Sequence, residues 1–406
     1  MKKIELLSPA GDLERLKIAV RYGADAVYIG GKKFSLRSRA SNFDIEDIAE
    51  GVKFAKQYGA HIHVTVNMLP HEDDLEGLEA YLKDLERVGV TAVIAASPYI
   101  AKCAKRLAPK LEVHVSTQHS STNSKAVAYW QKQGMDRVVL ARELTLAQIQ
   151  ETASKSSLPL EVFIHGGMCI SYSGRCTLSN NMTNRDANRG GCAQSCRWQY
   201  ELYDAGKALH DPADLFSMSS KDLMAAPYIP DLIDAGIASL KIEGRMKSVY
   251  YIATLVKTYR MFIDEYYDKG AISAERMNWY RSEFAKAENR PTSCGFYEGM
   301  PKVSGHLYDH NRAVVGQEFI GYVWDYDPKR GLAKVEVRNH FRRGENIEVF
   351  GPSLTNEPAE ITNLYDEEGN LVEVANKPTQ ILYMELPFAV SRHDMIRKRR
   401  NDHEIK

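Results

Sequence analysis

Short apolar runs rich in β-branched residues alternate with amphipathic segments of helical period from residue 1 to about residue 245. The runs predict eight strands, at residues 4–8, 26–30, 62–67, 92–96, 112–116, 137–141, 160–165 and 239–243. Apolar residues three or four apart predict helices between them at residues 13–22, 45–58, 75–88, 101–108 and 146–153. This alternation predicts an α/β fold, a TIM-like (β/α)8 barrel. An open doubly wound sheet is the alternative, but the sequence lacks the glycine-rich phosphate loop typical of it.

The alternation of side chains along the strands predicts which of them face the lumen. In the third strand, Ile62, Val64 and Val66 share the face that packs under the helices, which turns its polar residues inward. The inward polar side chains predicted in this way are His61, His63, Thr65, Asn67, His114, Ser116, Gln118, Lys241 and Glu243. Such a set suits a pocket for a charged or hydrogen-bonding small molecule, with Asn67, His114, Gln118 and Glu243 as candidate catalytic residues. The alternative is that each is a barrel-interior polar group satisfied by its neighbours.

The connection after the seventh strand, residues 166–236, breaks the rhythm and carries four cysteines. Cys169, Cys176, Cys192 and Cys196 have the spacing C-x6-C-x15-C-x3-C. Four thiolates can hold an iron–sulfur cluster or a tetrahedral zinc ion, and unliganded thiols are the third alternative. Zinc usually uses paired C-x2-C knuckles, which are absent here, so the spacing favours the cluster slightly. Arg197 and Trp198 follow the last cysteine, a pair that fits contact with an anion or RNA, or a solvated loop.

A second unit is predicted after the barrel. Residues 250–267 and 274–288 are expected to be helices that close the barrel domain, residues 1–290. Beyond the Asn289-Arg290-Pro291 break, alternating runs at 318–324, 332–336, 346–349, 359–364 and 379–384 predict an all-β module, a small barrel within residues 300–406. The basic run RKRR at 397–400 is expected to grip phosphates or to be a solvated tail.

Composition narrows the class of function. The 406 residues include 53 Lys+Arg and 53 Asp+Glu, a balance that excludes a polybasic nucleic-acid binder but leaves room for a local basic face. No long apolar run follows the first basic residues, and no stretch approaches about 18 apolar residues, so we expect neither a signal peptide nor a membrane span. Six cysteines are too few for a disulfide scaffold, and the reducing cytoplasm is the expected location.

Five segments resemble the signature of the collagenase-like peptidase family, peptidase family U32. They are LLSPAG at 6–11, EVFIHGGMC at 161–169, SGRCTLS at 173–179, RGGCAQSCR at 189–197 and KIEGRMK at 241–247. Gly167 is a small departure, since the family more often has Ala there. The resemblance covers the whole barrel and extends through the C-terminal β module.

The resemblance implies an activity that the residues alone do not. Studied members act as oxygen-independent hydroxylases on tRNA wobble uridine, ribosomal RNA cytidine or a quinone precursor, and carry a 4Fe-4S cluster on four cysteines. The length and the β module look most like the branch that makes 5-hydroxyuridine in tRNA, with prephenate as co-substrate. The cluster ligands would then be Cys169, Cys176, Cys192 and Cys196. Prephenate is a dicarboxylate that Arg142, Lys241 and Arg245 could clamp.

Three other functions stay open at this stage. The family's historical label suggests a peptidase, in which His165 and Cys169 would form a nucleophile pair, although the sequence has no H-E-x-x-H motif. Ribosomal RNA is an alternative substrate. The chain could also be a cluster-bearing RNA-binding subunit that works beside a homologous partner, a role for which an apolar, side-chain-filled lumen would be expected.

Overall fold

Eight parallel strands form a closed barrel in the computed structural model, which describes residues 3–36, 42–209, 215–287, 290–308 and 316–400. The strands are β1 (Glu5–Pro9), β2 (Ala26–Gly30), β3 (His61–Val66), β4 (Ala92–Ala95), β5 (Glu112–Val115), β6 (Arg137–Val139), β7 (Leu160–Gly166) and β8 (Ser239–Ile242). Lys241 of β8 lies opposite Leu7 of β1 on one side and Phe163 of β7 on the other, which closes the barrel. The predicted (β/α)8 barrel is confirmed.

Helices surround the barrel. They are α1 (Leu13–Arg21), α2 (Ile45–Gln57), α3 (Leu78–Arg87), α4 (Pro98–Leu107), α5 (Ser124–Lys132), α6 (Leu146–Ser154), α7 (Leu178–Thr183), α8 (Ile229–Asp234), α9 (Val249–Lys269) and α10 (Ala274–Ala285). The seven predicted helices are present, although residue 288, the predicted end of the last one, lies outside the described residues. The sequence did not predict α5, which buries only Val127 and Trp130, or the two six-residue helices α7 and α8. None of the described helices is long and apolar enough to cross a bilayer.

The connection between β7 and β8 is pinned to the loops at the carboxyl ends of the other strands. Arg189 makes a two-pronged ion pair with Asp74 of the loop after β3, with nitrogen–oxygen distances of 2.8 and 2.9 Å. The backbone amide of Ser173 donates to Glu143 in the loop after β6, at 2.8 Å. These contacts hold the cysteine segment over the mouth of the barrel, which is the face where barrel enzymes build their active sites.

The C-terminal module is a seven-stranded antiparallel sheet that curves into a half-barrel. Its strand order is Glu357–Glu360, Asn346–Phe350, Met395–Arg399, Gln317–Asp327, Leu332–Val337, Ile381–Glu385 and Leu364–Tyr365. The all-β prediction is confirmed. The single strand predicted at 359–364 is wrong, because its two ends belong to strands at opposite edges of the sheet. The division into residues 1–290 and 300–406 stays a prediction, and Tyr322, Phe350 and Met395 of the module pack into the core of the barrel.

The basic run at 397–400 is not a tail, so the prediction of a phosphate grip there is wrong for its first half. Arg397 is fully buried in the middle of the sheet, where it donates to Glu283 of α10 at 3.0 Å and to Glu348 at 3.1 Å. Lys398 is also buried and pairs with Glu345 at 3.1 Å. A buried guanidinium needs such partners, because an unpaired charge in a core is costly. Arg397 therefore joins the module to the barrel.

The end of the lumen opposite the mouth holds a buried ionic network. Arg137 donates to Glu5 at 2.6 Å and to Glu161 at 3.1 Å, and the ammonium of Lys241 donates to Glu161 at 2.7 Å. Two carboxylates and two cations thus neutralise one another. Burial lowers the pKa of the neighbouring His63 to about 3, so this histidine is neutral at physiological pH.

Candidate active site

The mouth of the barrel contains a cavity of about 150 Å3 that joins the lumen to the cysteine segment. Twelve of the residues singled out by sequence line it: Thr65, Asn67, Ser116, Gln118, Arg142, Cys169, Cys176, Cys192, Cys196, Lys241, Glu243 and Arg245. Polar side chains of the strands form one wall and the four thiols form the other. Polar side chains that the alternation predicts therefore line the accessible mouth of the lumen, together with apolar ones such as Ile94 and Phe163.

Aromatic rings and one lysine form the floor of the mouth cavity. The Lys241 ammonium lies 4.5 Å from the ring centre of Tyr28 and 5.3 Å from that of Phe163. The Tyr28 hydroxyl donates to the carbonyl of Ile242 at 3.0 Å, which fixes its ring. Because Glu161 neutralises Lys241 from below, this lysine brings less charge to the cavity than the sequence suggests. Tyr28 was missed in the sequence, although it alternates with Val27 and Ile29 and therefore faces inward.

Arg245 follows β8 and reaches across the mouth. It is buried and donates to the hydroxyls of Ser35 at 2.9 Å and Thr65 at 3.2 Å. Gly30 at the end of β2 makes room for it, since a Cβ added there would overlap both the guanidinium and the Ser35 hydroxyl. A glycine is thus required at position 30 for Arg245 to lie where it does.

The four cysteines form the wall that the connection adds to the barrel. The pKa of the Cys196 thiol is raised, chiefly by burial; Arg197 lowers it, and Cys169, Cys192 and Cys176 raise it further. Arg142, predicted as a substrate clamp, donates instead to the Gly167 carbonyl at 2.7 Å and contacts the Cys169 sulfur at 3.4 Å. Within the described residues, no group of three or more His, Cys, Asp or Glu is gathered closely enough to hold a single metal ion.

His114 faces the lumen, as predicted, but lies outside the mouth cavity. Its ring is fully buried against His63, with 4.9 Å between ring centres, and its Nε2 lies 3.0 Å from Glu112 at the far end of the barrel. The catalytic role predicted for His114 would need contact with a substrate. At this position His114 packs beneath the mouth cavity and does not line it.

His165 faces away from the lumen, which contradicts its prediction as a catalytic residue. The pairing of β7 with β8 is irregular. Lys241 lies opposite Phe163, but the next residue, Ile242, lies opposite His165, so one residue of β7 is skipped. This irregularity turns the imidazole outward against α9, where its Nδ1 lies 2.9 Å from the Tyr259 hydroxyl. Burial lowers the pKa of His165 to about 3, with a smaller contribution from Lys247. His165 is therefore a core residue rather than the base of a Cys169 nucleophile pair.

Arg197 lies behind the cysteine wall instead of in the mouth cavity. It donates to the Met168 carbonyl at 3.3 Å and faces Asp222, with 3.9 Å between Nη1 and Oδ1. Asp222, Lys247 and Arg290 surround the same spot and were missed in the sequence. Their positions are far apart along the chain, and no motif links them.

A (β/α)8 barrel with a thiol-walled mouth and an appended antiparallel β module defines the class of protein. The chain belongs to peptidase family U32. The model of that family matches residues 11–306, and the model of the peptidase family U32 C-terminal domain matches residues 316–397. The resemblance drawn from the five sequence segments is confirmed.

Curated relatives bear different names. The chain is 47% identical over 402 residues, covering 98% of this chain and 95% of the relative, to "tRNA hydroxylation protein P1" of Bacillus subtilis. It is 40% identical over 288 residues, covering 71% of this chain and 42% of the relative, to "23S rRNA 5-hydroxycytidine C2501 synthase" of Escherichia coli. It is 30% identical over 364 residues, covering 86% and 87%, to "Collagenase" of Porphyromonas gingivalis.

Proposed function

We propose that this protein is an iron–sulfur RNA hydroxylase that converts the wobble uridine of tRNA to 5-hydroxyuridine with prephenate as co-substrate. One observation carries the proposal: polar side chains of the barrel lumen and four cysteines line a single cavity at the mouth. The relatives named for hydroxylation of tRNA and of ribosomal RNA support an RNA substrate. The relative named for tRNA matches nearly the whole of both chains, which favours tRNA over ribosomal RNA.

The donor set favours a 4Fe-4S cluster on Cys169, Cys176, Cys192 and Cys196. A tetrahedral zinc site would need four donors about 2.0 to 2.3 Å from one point, and the described thiols are not gathered around a single ion in this way. A cluster accepts ligands that lie farther apart around one cavity. Arg142 at the Cys169 sulfur adds a charged hydrogen-bond donor of the kind that tunes such centres.

The cluster would supply the redox chemistry, and the residues of the chain would bind and orient the two substrates. Carbon 5 of uridine is not acidic, so acid–base residues alone do not suffice. The target base has to leave the anticodon stack to enter the mouth cavity. The side-chain amides of Asn67 and Gln118 offer both donors and acceptors to a pyrimidine edge there.

Arg245 is the residue that we propose holds a carboxylate of prephenate. Its guanidinium lines the cavity and is oriented by Ser35 and Thr65, and its planar fork matches a carboxylate. Lys241 shares the cavity, but its ion pair with Glu161 leaves it the weaker contributor of positive charge. Burial of Arg245 strengthens its attraction for an anion, because little water screens it.

The test of the proposed function is nucleoside mass spectrometry of total tRNA from a deletion strain and its complemented parent. We expect 5-hydroxyuridine and its derivatives to vanish in the deletion strain and to return with the wild-type gene. Unchanged tRNA would overturn the proposal. A parallel analysis of ribosomal RNA would then show whether 5-hydroxycytidine depends on the gene instead.

The substitution Gly30→Ala tests the role of Arg245 without touching its charge. The new methyl group overlaps the guanidinium and moves it, so we expect kcat/KM for tRNA hydroxylation to fall roughly 10- to 100-fold, as misplacement of a positioning group by about 1 Å can do. Gly316→Ala is the matched control, because a Cβ there meets no atom of the residues that the structure describes. Full activity of Gly30→Ala, with the same melting temperature as the control, would contradict the role.

The peptidase reading has less support from the geometry. His165 is turned away from Cys169, and His61 and His63, an H-x-H pair in β3, lie toward the end of the barrel opposite the mouth, with His63 buried. A non-catalytic subunit would be expected to have an apolar, filled lumen, whereas this mouth is open and has polar and charged side chains among its apolar ones. A homologous partner subunit stays a prediction, and co-purification from cells tests it.

A further inference from the structure

A second cavity, of about 410 Å3, lies behind the cysteine wall and shares Cys169, Cys192 and Cys196 with the mouth cavity. Three cations from separate parts of the chain converge on it. Arg197 follows the last cysteine, Lys247 precedes α9, and Arg290 comes after α10. All three face the carboxylate of Asp222, and we call these four residues the Asp222 cradle. The proposed function assigns nothing to it.

The cradle is loosely paired. The nitrogen–oxygen distances to Asp222 are 3.9 Å from Arg197, 3.7 Å from Lys247 and 3.7 Å from Arg290, all longer than a hydrogen bond. Asp222 Oδ1 and Arg290 Nη1 are buried and have no hydrogen-bond partner among the described residues. Buried polar atoms are normally satisfied, so an unsatisfied donor on a cavity wall indicates a missing partner.

The cations of the cavity favour an anion as that partner. Apart from the cysteines, its charged lining consists of Arg197, Lys247 and Arg290 against Asp222 and Glu243, three cations against two carboxylates. The side chains of the three cations are 15 to 24% exposed, so solvent screens them only in part. An anion between Arg290 and Lys247 could accept hydrogen bonds that Asp222, at its present distance, does not accept.

The surroundings of the cradle suggest which anion it is. A third cavity, of about 240 Å3, shares Cys192 with the mouth cavity and Gln194, Arg197 and Met246 with the cradle cavity. The exposed side chains of Trp198 and Met246 line it. Cations beside an exposed aromatic ring, next to a pocket for one base, are the arrangement that binds single-stranded RNA.

We propose that the Asp222 cradle binds the backbone phosphate of a nucleotide that flanks the target uridine, while Trp198 supports a neighbouring base. The inference rests on the proposed function, because it takes RNA as the substrate of the mouth cavity. In this arrangement the phosphate fixes the register of the RNA strand, so that one particular base reaches the mouth.

The test combines protein variants with single neutral phosphates in the RNA. Binding of anticodon stem-loop RNA to the full-length protein is measured by fluorescence anisotropy, with a methylphosphonate placed in turn at each phosphate of the loop. We expect one position next to the target uridine to weaken binding to the wild type about 10-fold, the cost of losing one charge-assisted hydrogen bond. The same methylphosphonate should weaken RNA binding to Lys247→Gln and Arg290→Gln much less, because the side chain that binds this phosphate has already been removed.

Salt dependence gives a second readout. Each of the two variants should reduce the slope of log affinity against log salt by about 1, as expected for one lost phosphate contact. Lys132→Gln is the matched control, since this exposed lysine ends α5 at the opposite end of the barrel. Melting temperatures show whether the variants fold. If Arg290→Gln does not fold, Lys247→Gln alone still tests the phosphate site.

The outcomes separate the cradle from the proposed function. The phosphate site is refuted if no methylphosphonate next to the uridine weakens binding. It is also refuted if the methylphosphonate weakens binding to the variants as much as binding to the wild type. A rise of KM for prephenate with unchanged RNA affinity would refute it too and assign the cradle to a small carboxylate. Nucleoside mass spectrometry with the wild type decides the proposed function independently of these measurements.

Discussion

Replacing Cys176 by alanine should abolish both the iron–sulfur cluster and tRNA hydroxylation while leaving the protein folded. Cys176 lies on the mouth cavity just before α7 and is only half-buried, so its loss does not open a hole in the core. Replacing a residue that hydrogen-bonds to a metal ligand typically lowers metal affinity or activity about 10- to 100-fold. Replacing a ligand itself should therefore lower them by more than about 100-fold. The measurements are iron and sulfide content after anaerobic purification and 5-hydroxyuridine in tRNA.

Cys103→Ala is the matched control for Cys176→Ala. Cys103 is a free cysteine buried in α4, away from the mouth cavity, so the substitution removes a thiol without removing a proposed ligand. We expect it to keep the iron, the sulfide and the modified nucleoside. A Cys176→Ala protein that holds as much iron and sulfide as the wild type would contradict the ligand assignment. If its cluster is lost and the tRNA is still hydroxylated, the cluster is not needed for the reaction.

The features that sequence predicted well are those fixed by local pattern. Strand and helix periods repeat over short windows, so the barrel and its mouth residues Asn67 and Glu243 follow from alternation alone, whereas Gln118 reaches the mouth from a 3-10 turn after β5. The cysteines fall within 28 residues and could be recognised as a group. The confirmed family membership rests on motifs that are also short and contiguous.

The features that sequence missed depend on contacts between distant segments. His165 would face the lumen if alternation continued from Glu161 and Phe163, but the irregular pairing with β8 reverses it. Arg397 is part of a basic run, and only Glu283 and Glu348, 114 and 49 residues away, allow its burial. The four residues of the Asp222 cradle have no spacing that a sequence pattern could reveal.

We expect Glu161→Gln to lower the free energy of unfolding of the barrel strongly. Glu161 is fully buried and accepts from Lys241 at 2.7 Å and from Arg137 at 3.1 Å. Glutamine has the same shape as glutamate but no charge. Lys241 and Arg137 are then left with Glu5 as the carboxylate of the network, which carries an excess positive charge. Breaking a buried ion pair in this way costs about 3 to 5 kcal/mol, a large part of the stability of a typical protein. Denaturant unfolding followed by circular dichroism measures the loss.

The pH dependence of that loss identifies its electrostatic origin. Burial alone would raise the pKa of Glu161, but Lys241 and Arg137 together lower it below its ordinary value of 4.5. A carboxyl whose pKa is lowered by folding stabilises the folded state above its ordinary pKa and loses that contribution as the pH falls below it. The stability difference between wild type and Glu161→Gln should therefore be constant from pH 8 to about pH 5.5 and shrink below about pH 4.5. Glu151→Gln, which removes an exposed partner of Lys155, should change little at any pH. A difference that stays constant into acid would mean that the substitution acts through packing, and Lys241 would then not owe its position at the cavity floor to the charge of Glu161.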